Sequence, residues 1–207
     1  MKFRLVAILA LSLAGAGCLS VLPEPEIPSA LISLPADRAV APADPLRADV
    51  SVYPPDSSRA FSGVDIAVRS DQEMVYLGDV RWSDAAPRLL QNALVDSLSK
   101  AAGQGRAVTA QQGARVDYEV RWRIVDLSTG REMAPVNVGV VASLLDASTR
   151  RVVAQKTFSA SGAPSERSPR ARAAALALAA QSVADQVAAF VASNAAPKPA
   201  LAGALAN

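Results

Sequence analysis

Side chains able to do chemistry are scarce in this sequence. It contains no histidine and a single cysteine among 207 residues. A Ser-His-Asp triad, a Cys-His pair and a histidine-ligated metal site are therefore excluded. Asp44, Asp49, Asp56, Asp65, Asp71 and Glu73 could pair for general acid–base work, but no spacing singles out two of them, and they read as solvated surface charge. Ser97-Leu98-Ser99-Lys100 reads as the polar end of a helix rather than a buried Ser–Lys pair. Gly103-Gln104-Gly105 lacks the frame of a phosphate-binding loop and reads as a helix stop. The chain is expected to be no enzyme and to hold no cofactor or metal. Arg167, Arg170 and Arg172 cluster where a helix begins. They are either a solvated loop or a patch for an acidic partner or lipid headgroups.

Cys18 is the residue whose surroundings point to chemistry. Lys2 and Arg4 supply positive charge, Leu5 to Leu13 is apolar except for Ser12, and Ala14-Gly15-Ala16-Gly17 is a run of small residues. That is the order of a secretory signal peptide over residues 1–17. Its apolar core is shorter than the ~20 residues that span a bilayer. Gly15-Ala16-Gly17-Cys18 resembles a bacterial lipobox, with Gly15 where Leu is usual. The expected chemistry is cleavage before Cys18 and acylation of that residue, which then anchors the chain to a membrane. The alternative is ordinary cleavage near Ala16, leaving a free thiol. Each buried CH₂ contributes roughly 0.8 kcal/mol and one chain alone binds marginally, so firm anchoring needs the multiple acylation that a lipobox implies. Leu19 follows the cysteine rather than Asp, which favours the outer membrane. Loss of residues 1–17 removes Lys2 and Arg4 and with them the formal excess of +2. A balanced charge argues against a nucleic-acid partner.

The elements that must position such residues come next. Pro23, Pro25, Pro28, Pro35, Pro42 and Pro45 discourage regular structure, so residues 18–45 read as a lipidated N-terminus and tether. Extended at ~3.1 Å per residue it would reach roughly 80 Å; Ala30–Leu34 within it can pair as a short edge strand. A domain over 46–195 follows. Arg47–Tyr53, Val64–Arg69 and Val116–Leu127 alternate with period two, as half-buried strands do. Glu73–Leu77 is a short apolar piece, and Gly78-Asp79 suggests a turn before Val80-Arg81-Trp82. Ser83 or Asp84 can cap a helix with Pro87 in its first turn, and Leu89, Leu90, Ala93, Leu94, Ser97, Leu98 and Ala101 fall on one face of it. Val136–Leu145 and Arg151–Ala160 complete an antiparallel meander with Val116–Leu127. Ser168 and Pro169 open a last helix ending near Asn194, and 196–207 reads as a loose tail. Trp122 is expected in the core; Trp82 either packs under a helix or lines a groove. The fold expected is α/β (α+β): a single sheet of about five to six strands with two helices packed on one face.

Ile66-Ala67-Val68-Arg69, Val75-Tyr76-Leu77, Val80-Arg81-Trp82-Ser83-Asp84 and Leu89-Leu90-Gln91-Asn92-Ala93-Leu94, in that order below a lipobox, resemble the ABC-type transport auxiliary lipoprotein family of the paraquat-inducible protein C type. The resemblance covers most of residues 28–195. It departs at Ser57–Gly63, where members often carry a Leu-Asp-Arg-type segment. The resemblance implies a periplasm-facing auxiliary component docked to an MCE-type (mammalian cell entry) subunit of an ABC transporter that moves phospholipids or other hydrophobic molecules. Arg69, Tyr76, Arg81 and Trp82, from its marks, are the implied partner contacts, and a homo-oligomer would suit ring-like MCE partners. Two rival readings are a carrier that itself holds lipid between helices and sheet, and a structural lipoprotein of another envelope assembly.

Overall fold

The structure is a computed structural model and describes residues 27–198. The signal peptide, Cys18, the start of the tether and tail residues 199–207 lie outside the described residues. The strands are β1 (Ala30–Ile32), β2 (Val50–Val52), β3 (Asp65–Ser70), β4 (Glu73–Trp82), β5 (Ala107–Thr109), β6 (Tyr118–Thr129), β7 (Val136–Asp146) and β8 (Val152–Gly162). The helices are α1 (Ala86–Ser99) and α2 (Pro169–Asn194). All eight strands form one mixed sheet, more than the five to six expected. The additions are short or joined pieces. β5 has three half-buried residues and no alternation to betray it, and β4 runs unbroken through Gly78-Asp79 as a bulge, with Asp79 at φ 60°.

β6 organises the sheet. One side pairs with β7 along the whole strand, and β7 pairs with β8, which is the expected antiparallel meander. The other side is shared. β2 runs parallel to its start, Val50 opposite Tyr118 through Val52 opposite Val120, and β3 runs parallel to its end at Ser128 and Thr129. Pro54-Pro55 causes the fork, because proline has no N–H to give to a ladder. Pairing resumes once at Asp56, whose N–H donates to the Trp122 carbonyl (2.9 Å) and whose carbonyl accepts from Ile124 N (2.8 Å). From the fork, β5 adds outside β2, and β4 then β1 add outside β3.

Both helices cover one face. Val136, Val138, Val140, Ala142 and Leu144 of β7 are buried toward them, while Asn137 on the opposite face is exposed. α2 is long and apolar enough to cross a membrane by length and composition, yet it is a core helix. Ala173, Leu176, Ala180, Val183, Val187 and Val191 are fully buried. Its apolar residues go almost all the way round because the curled sheet and α1 enclose it on several sides. At the α1–α2 contact, Ser97 Oγ donates to Asp185 Oδ1 (2.6 Å) and accepts from Gln181 Nε2 (3.3 Å). Ser168 caps α2 as expected, accepting from Ala171 N at 3.1 Å. α1 differs: its N-cap is Ala85, with no side-chain cap, and Asp84 instead accepts from Ala85 N.

The proline-rich segment joins the domain sooner than its composition suggests. β1 forms within it, Lys100 Nζ donates to the carbonyls of Ala36 and Ala39, and Pro42 is buried. The described start of the tail is likewise held, since Tyr118 Oη donates to the Ala196 carbonyl and Lys198 Nζ reaches Asp146 at 2.6 Å.

Two carboxylates, Asp49 and Asp146, carry a pH dependence. Hydrogen bonds from Arg106 hold the Asp49 carboxyl below its ordinary 3.8. Lys198, then Ser148 and Thr149, hold Asp146 far below the same value. A depressed carboxylate stabilises the fold above its unfolded pKa, and that contribution is lost as pH falls through the folded one. The urea midpoint should therefore drop as pH is lowered from about 5 toward 2.5, and Asp146→Asn should flatten that drop. Equal slopes for the two proteins would contradict the assignment.

Candidate functional site

The β3–β4 hairpin carries the positions singled out in the sequence. Ser70 pairs with Glu73 across a two-residue turn, Asp71-Gln72, in which Asp71 takes φ 52°. Asp is among the few residues that adopt this conformation at modest cost. From Asp71 to Tyr76 every residue is exposed, so the tip stands clear of the core. Exposed Met74, Val75 and Tyr76 in succession place apolar surface on both faces of the arm.

Register decides which candidates share a face. Arg69 pairs with Met74, Ala67 with Tyr76 and Asp65 with Arg81, all opposite in sense to buried Ile66 and Val68. Arg69, Tyr76 and Arg81 therefore lie together on the face away from the helices. Tyr76 is 52% exposed. Arg69 pairs with Asp126 at 3.0 Å, which ties the arm to β6, and Arg81 pairs with Asp65 at 3.2 Å across the hairpin. Trp82 is not brought to this surface. It is 2% exposed and packs in the core, the packing alternative of the two readings given above. Trp122 is also core, with Nε1 donating to the Tyr53 carbonyl at 2.7 Å.

The sheet face away from the helices is polar. Glu119 is buried between Arg121 (3.1 Å) and Arg150 (2.9 Å), and the Arg121 guanidinium lies 3.2 Å from the Tyr53 ring centre. A cleft of about 380 Å³ opens over Asp126, Asn137, Gly139, Ser159 and Ser161. The arrangement offers ion pairs, exposed amides and hydroxyls, and an apolar arm. It is equipped to bind a surface. Among the described residues no group of acidic, cysteine or histidine side chains is placed to hold a metal.

The arginine cluster divides. Arg172 donates to Thr129 Oγ1 (3.1 Å) and to the Gly130 carbonyl, and burial lowers its pKa. It fastens α2 to the β6–β7 turn. Arg167 and Arg170 are exposed. Sequence reasoning missed Met74 as part of the surface, although its adjacency to Val75 and Tyr76 beside an acidic turn was a readable signal.

Residues 31–188 match the family described as the ABC-type transport auxiliary lipoprotein component. No curated protein matches the sequence. Among solved structures, a Xanthomonas campestris protein of family DUF330 superposes with a TM-score of 0.67 at 20% identity, covering 80% of this chain and 94% of that one. A protein described as uncharacterized gives 0.59 at 14% identity, covering 80% of this chain and 99% of its own. At these identities the likenesses show a shared fold.

Proposed function

Because the chain belongs to the ABC-type transport auxiliary lipoprotein family, we propose that it is the docking component of an envelope ABC transport system with an MCE-type subunit, whose cargo is phospholipid or another hydrophobic molecule. Acylated Cys18 holds it at the outer membrane, facing the periplasm. The segment between Cys18 and Ser29 is then the working tether, with a reach of ~30 Å when extended. Energy comes from the ATPase of the partner system, and this chain performs no catalysis.

The observation that carries this reading is the exposed apolar arm, with Met74, Val75 and Tyr76 beside Arg69. Exposed aromatics next to arginine are the composition of interface hot spots. The carrier alternative needs an apolar pocket of roughly 300–1,000 Å³ between helices and sheet. Between α2 and β7 that layer is instead filled by buried alanines, leucines and valines, and the space left is a groove of about 310 Å³ at its outer margin, between α2 and the end of β8.

A pull-down of the tagged lipoprotein from gently solubilised envelopes, with Cys18→Ala as the anchoring control, tests the proposal. The MCE-type subunit and its permease should be recovered with the wild type. Tyr76→Ala should weaken that recovery roughly tenfold or more, the effect of removing an aromatic anchor, without moving the melting temperature. Recovery of neither subunit by a folded, acylated protein would sink the transport assignment. Recovery of stoichiometric phospholipid alone would favour the carrier.

A further inference from the structure

Glu119 lies on the sheet face away from the helices, yet it is only 7% exposed. Two arginines bury it. Arg121 Nε and Nη2 donate to its Oε2 (3.3 and 3.1 Å), and Arg150 Nη1 donates to both oxygens (3.0 and 2.9 Å). A carboxylate taken out of water is costly unless its oxygens are bonded. Here the same bonds fix two guanidiniums whose side chains stay 44% and 66% exposed. Of the five donors each arginine owns, Nη1 of Arg121 and Nε and Nη2 of Arg150 are left over. Arg123, two residues along β6 and so on the same face, is exposed and forms no ion pair among the described residues. The nearby acids leave this face positive. Asp126 is taken by Arg69 and Asp146 by Lys198, and Asp56 bridges beside Arg123 through backbone only. Ser143 and Val141 of β7 stand opposite Arg121 and Arg123, with Gln155 and Thr157 of β8 beyond them, all uncharged.

We propose that this face docks an extended segment of a partner protein that carries carboxylates at alternate positions. Alternate residues of a strand stand ~6.8 Å apart on one face. Arg121 and Arg123 therefore present a repeat that an extended chain with an acid at every second residue matches. A planar guanidinium takes a carboxylate through parallel N–H bonds. Arginines fixed before binding also have less rotamer freedom left to lose, and the Glu119 clasp fixes Arg121 and Arg150. The Tyr53 ring, its centre 3.2 Å from the Arg121 guanidinium, supports the same geometry. Side-chain charge balances over residues 18–207, so the attraction belongs to this face and not to the molecule as a whole. A bilayer of anionic lipid offers no fixed spacing for pinned guanidiniums to match, which favours a protein segment as the occupant.

The test uses the acylated full-length chain in mild detergent and needs no transporter, so its outcome is separate from that of the docking proposal for the arm. The chain is titrated with a short fluorescent peptide that alternates Glu and Thr, and with one that alternates Lys and Thr. Only the acidic peptide should bind, and more weakly as ionic strength rises. Arg123→Glu reverses the charge at an exposed, unpaired position and should weaken binding about tenfold or more, with an unchanged melting temperature. Arg121→Lys keeps the charge but gives up the planar fork and the contact with Tyr53, and should weaken binding roughly three- to tenfold. Absence of binding by the wild type, equal binding of the two peptides, or an Arg123→Glu protein that binds as well as the wild type would overturn the proposal. So would Arg123-dependent binding to vesicles of phosphatidylglycerol and phosphatidylcholine without binding of the peptide, which would make the occupant a membrane. A fall in mass by light scattering in Arg123→Glu would overturn it in favour of another copy of the chain. Tighter peptide binding after joint Glu24→Gln and Glu26→Gln substitution would do so in favour of the chain's own Glu24-Pro25-Glu26.

Discussion

Gly103→Ala should lower the melting temperature by roughly 6–12 °C, the shift that ~3 kcal/mol produces in a domain of this size. The chain leaving α1 must turn back against the segment that leads into β2. It does so through backbone bonds: Leu46 N donates to the Ala102 carbonyl (2.7 Å), and Gly105 N donates to the Leu46 carbonyl (2.9 Å). Gly103 sits at φ +113°, and a Cβ there would lie 2.2 Å from the Leu46 carbonyl oxygen. Neither problem has an easy remedy. The conformation itself costs an L-residue about 1–3 kcal/mol, and the obstructing atom is backbone already committed to a hydrogen bond. Gly105→Ala meets the same obstacle at 2.4 Å from the Ala48 carbonyl oxygen. Gly78 is the control, because nothing lies within 4 Å of its Cβ position and its φ is not in the left-handed region. Thermal melts of the three variants settle the matter: if Gly103→Ala melted like Gly78→Ala, the close approach described here would be wrong.

That turn shows why one level of the fold was legible in the sequence and another was not. Gly103-Gln104-Gly105 reads correctly as a helix stop, because a glycine pair ends a helix by local rules. Its second use, letting the backbone lie against Leu46 and Ala48 far upstream in the chain, leaves no local mark. The same division holds elsewhere. β6 alternates apolar and polar residues from Tyr118 to Arg123, and β7 places an apolar residue at every second position from Val136 to Leu144, and such runs declare themselves. β5 has three residues and no contrast between its faces. Gly78-Asp79 has turn chemistry, but the structure uses it for a bulge, which asks for the same positive φ. Gln91 looks like a solvent residue on α1, yet it is buried, donating to the Val52 carbonyl (2.7 Å) and to Gln111 (2.8 Å). Its partners lie on other elements, and periodicity has no access to them. For the candidate surface, Arg69, Tyr76 and Arg81 share a face because alternation from Ile66 and Val68 is readable, while the burial of Trp82 depends on elements distant in sequence, β1 pairing beside it and α2 packing on β4.

The exposure of the hairpin depends on how the sheet forks, and Trp122 stands at the fork. Pro54 and Pro55 cannot donate to β6, so between Val52 and Asp56 the strand pairing lapses. The indole fills this interval. Trp122 is 4% exposed, its Nε1 donates to the Tyr53 carbonyl at 2.7 Å, and its own carbonyl accepts from Asp56 N. Trp122→Ala should therefore cost about 3–5 kcal/mol, the range for truncating a buried aromatic. Trp122→Phe separates the two contributions. It keeps most of the ring but leaves the Tyr53 carbonyl without its donor, which should cost roughly 1–3 kcal/mol. Urea midpoints should then fall in the order wild type, Phe, Ala. Amide exchange should quicken first at Asp56 and Ile124, the two donors of the surviving bridge, in Trp122→Phe. Equal midpoints for wild type and Trp122→Phe would mean that the indole hydrogen bond does not hold the fork. Quickened exchange at Asp56 and Ile124 together with weaker transporter recovery, in a Trp122→Phe protein that is still folded, would show that the fork sets the position of the hairpin, since the substitution touches no residue of the arm.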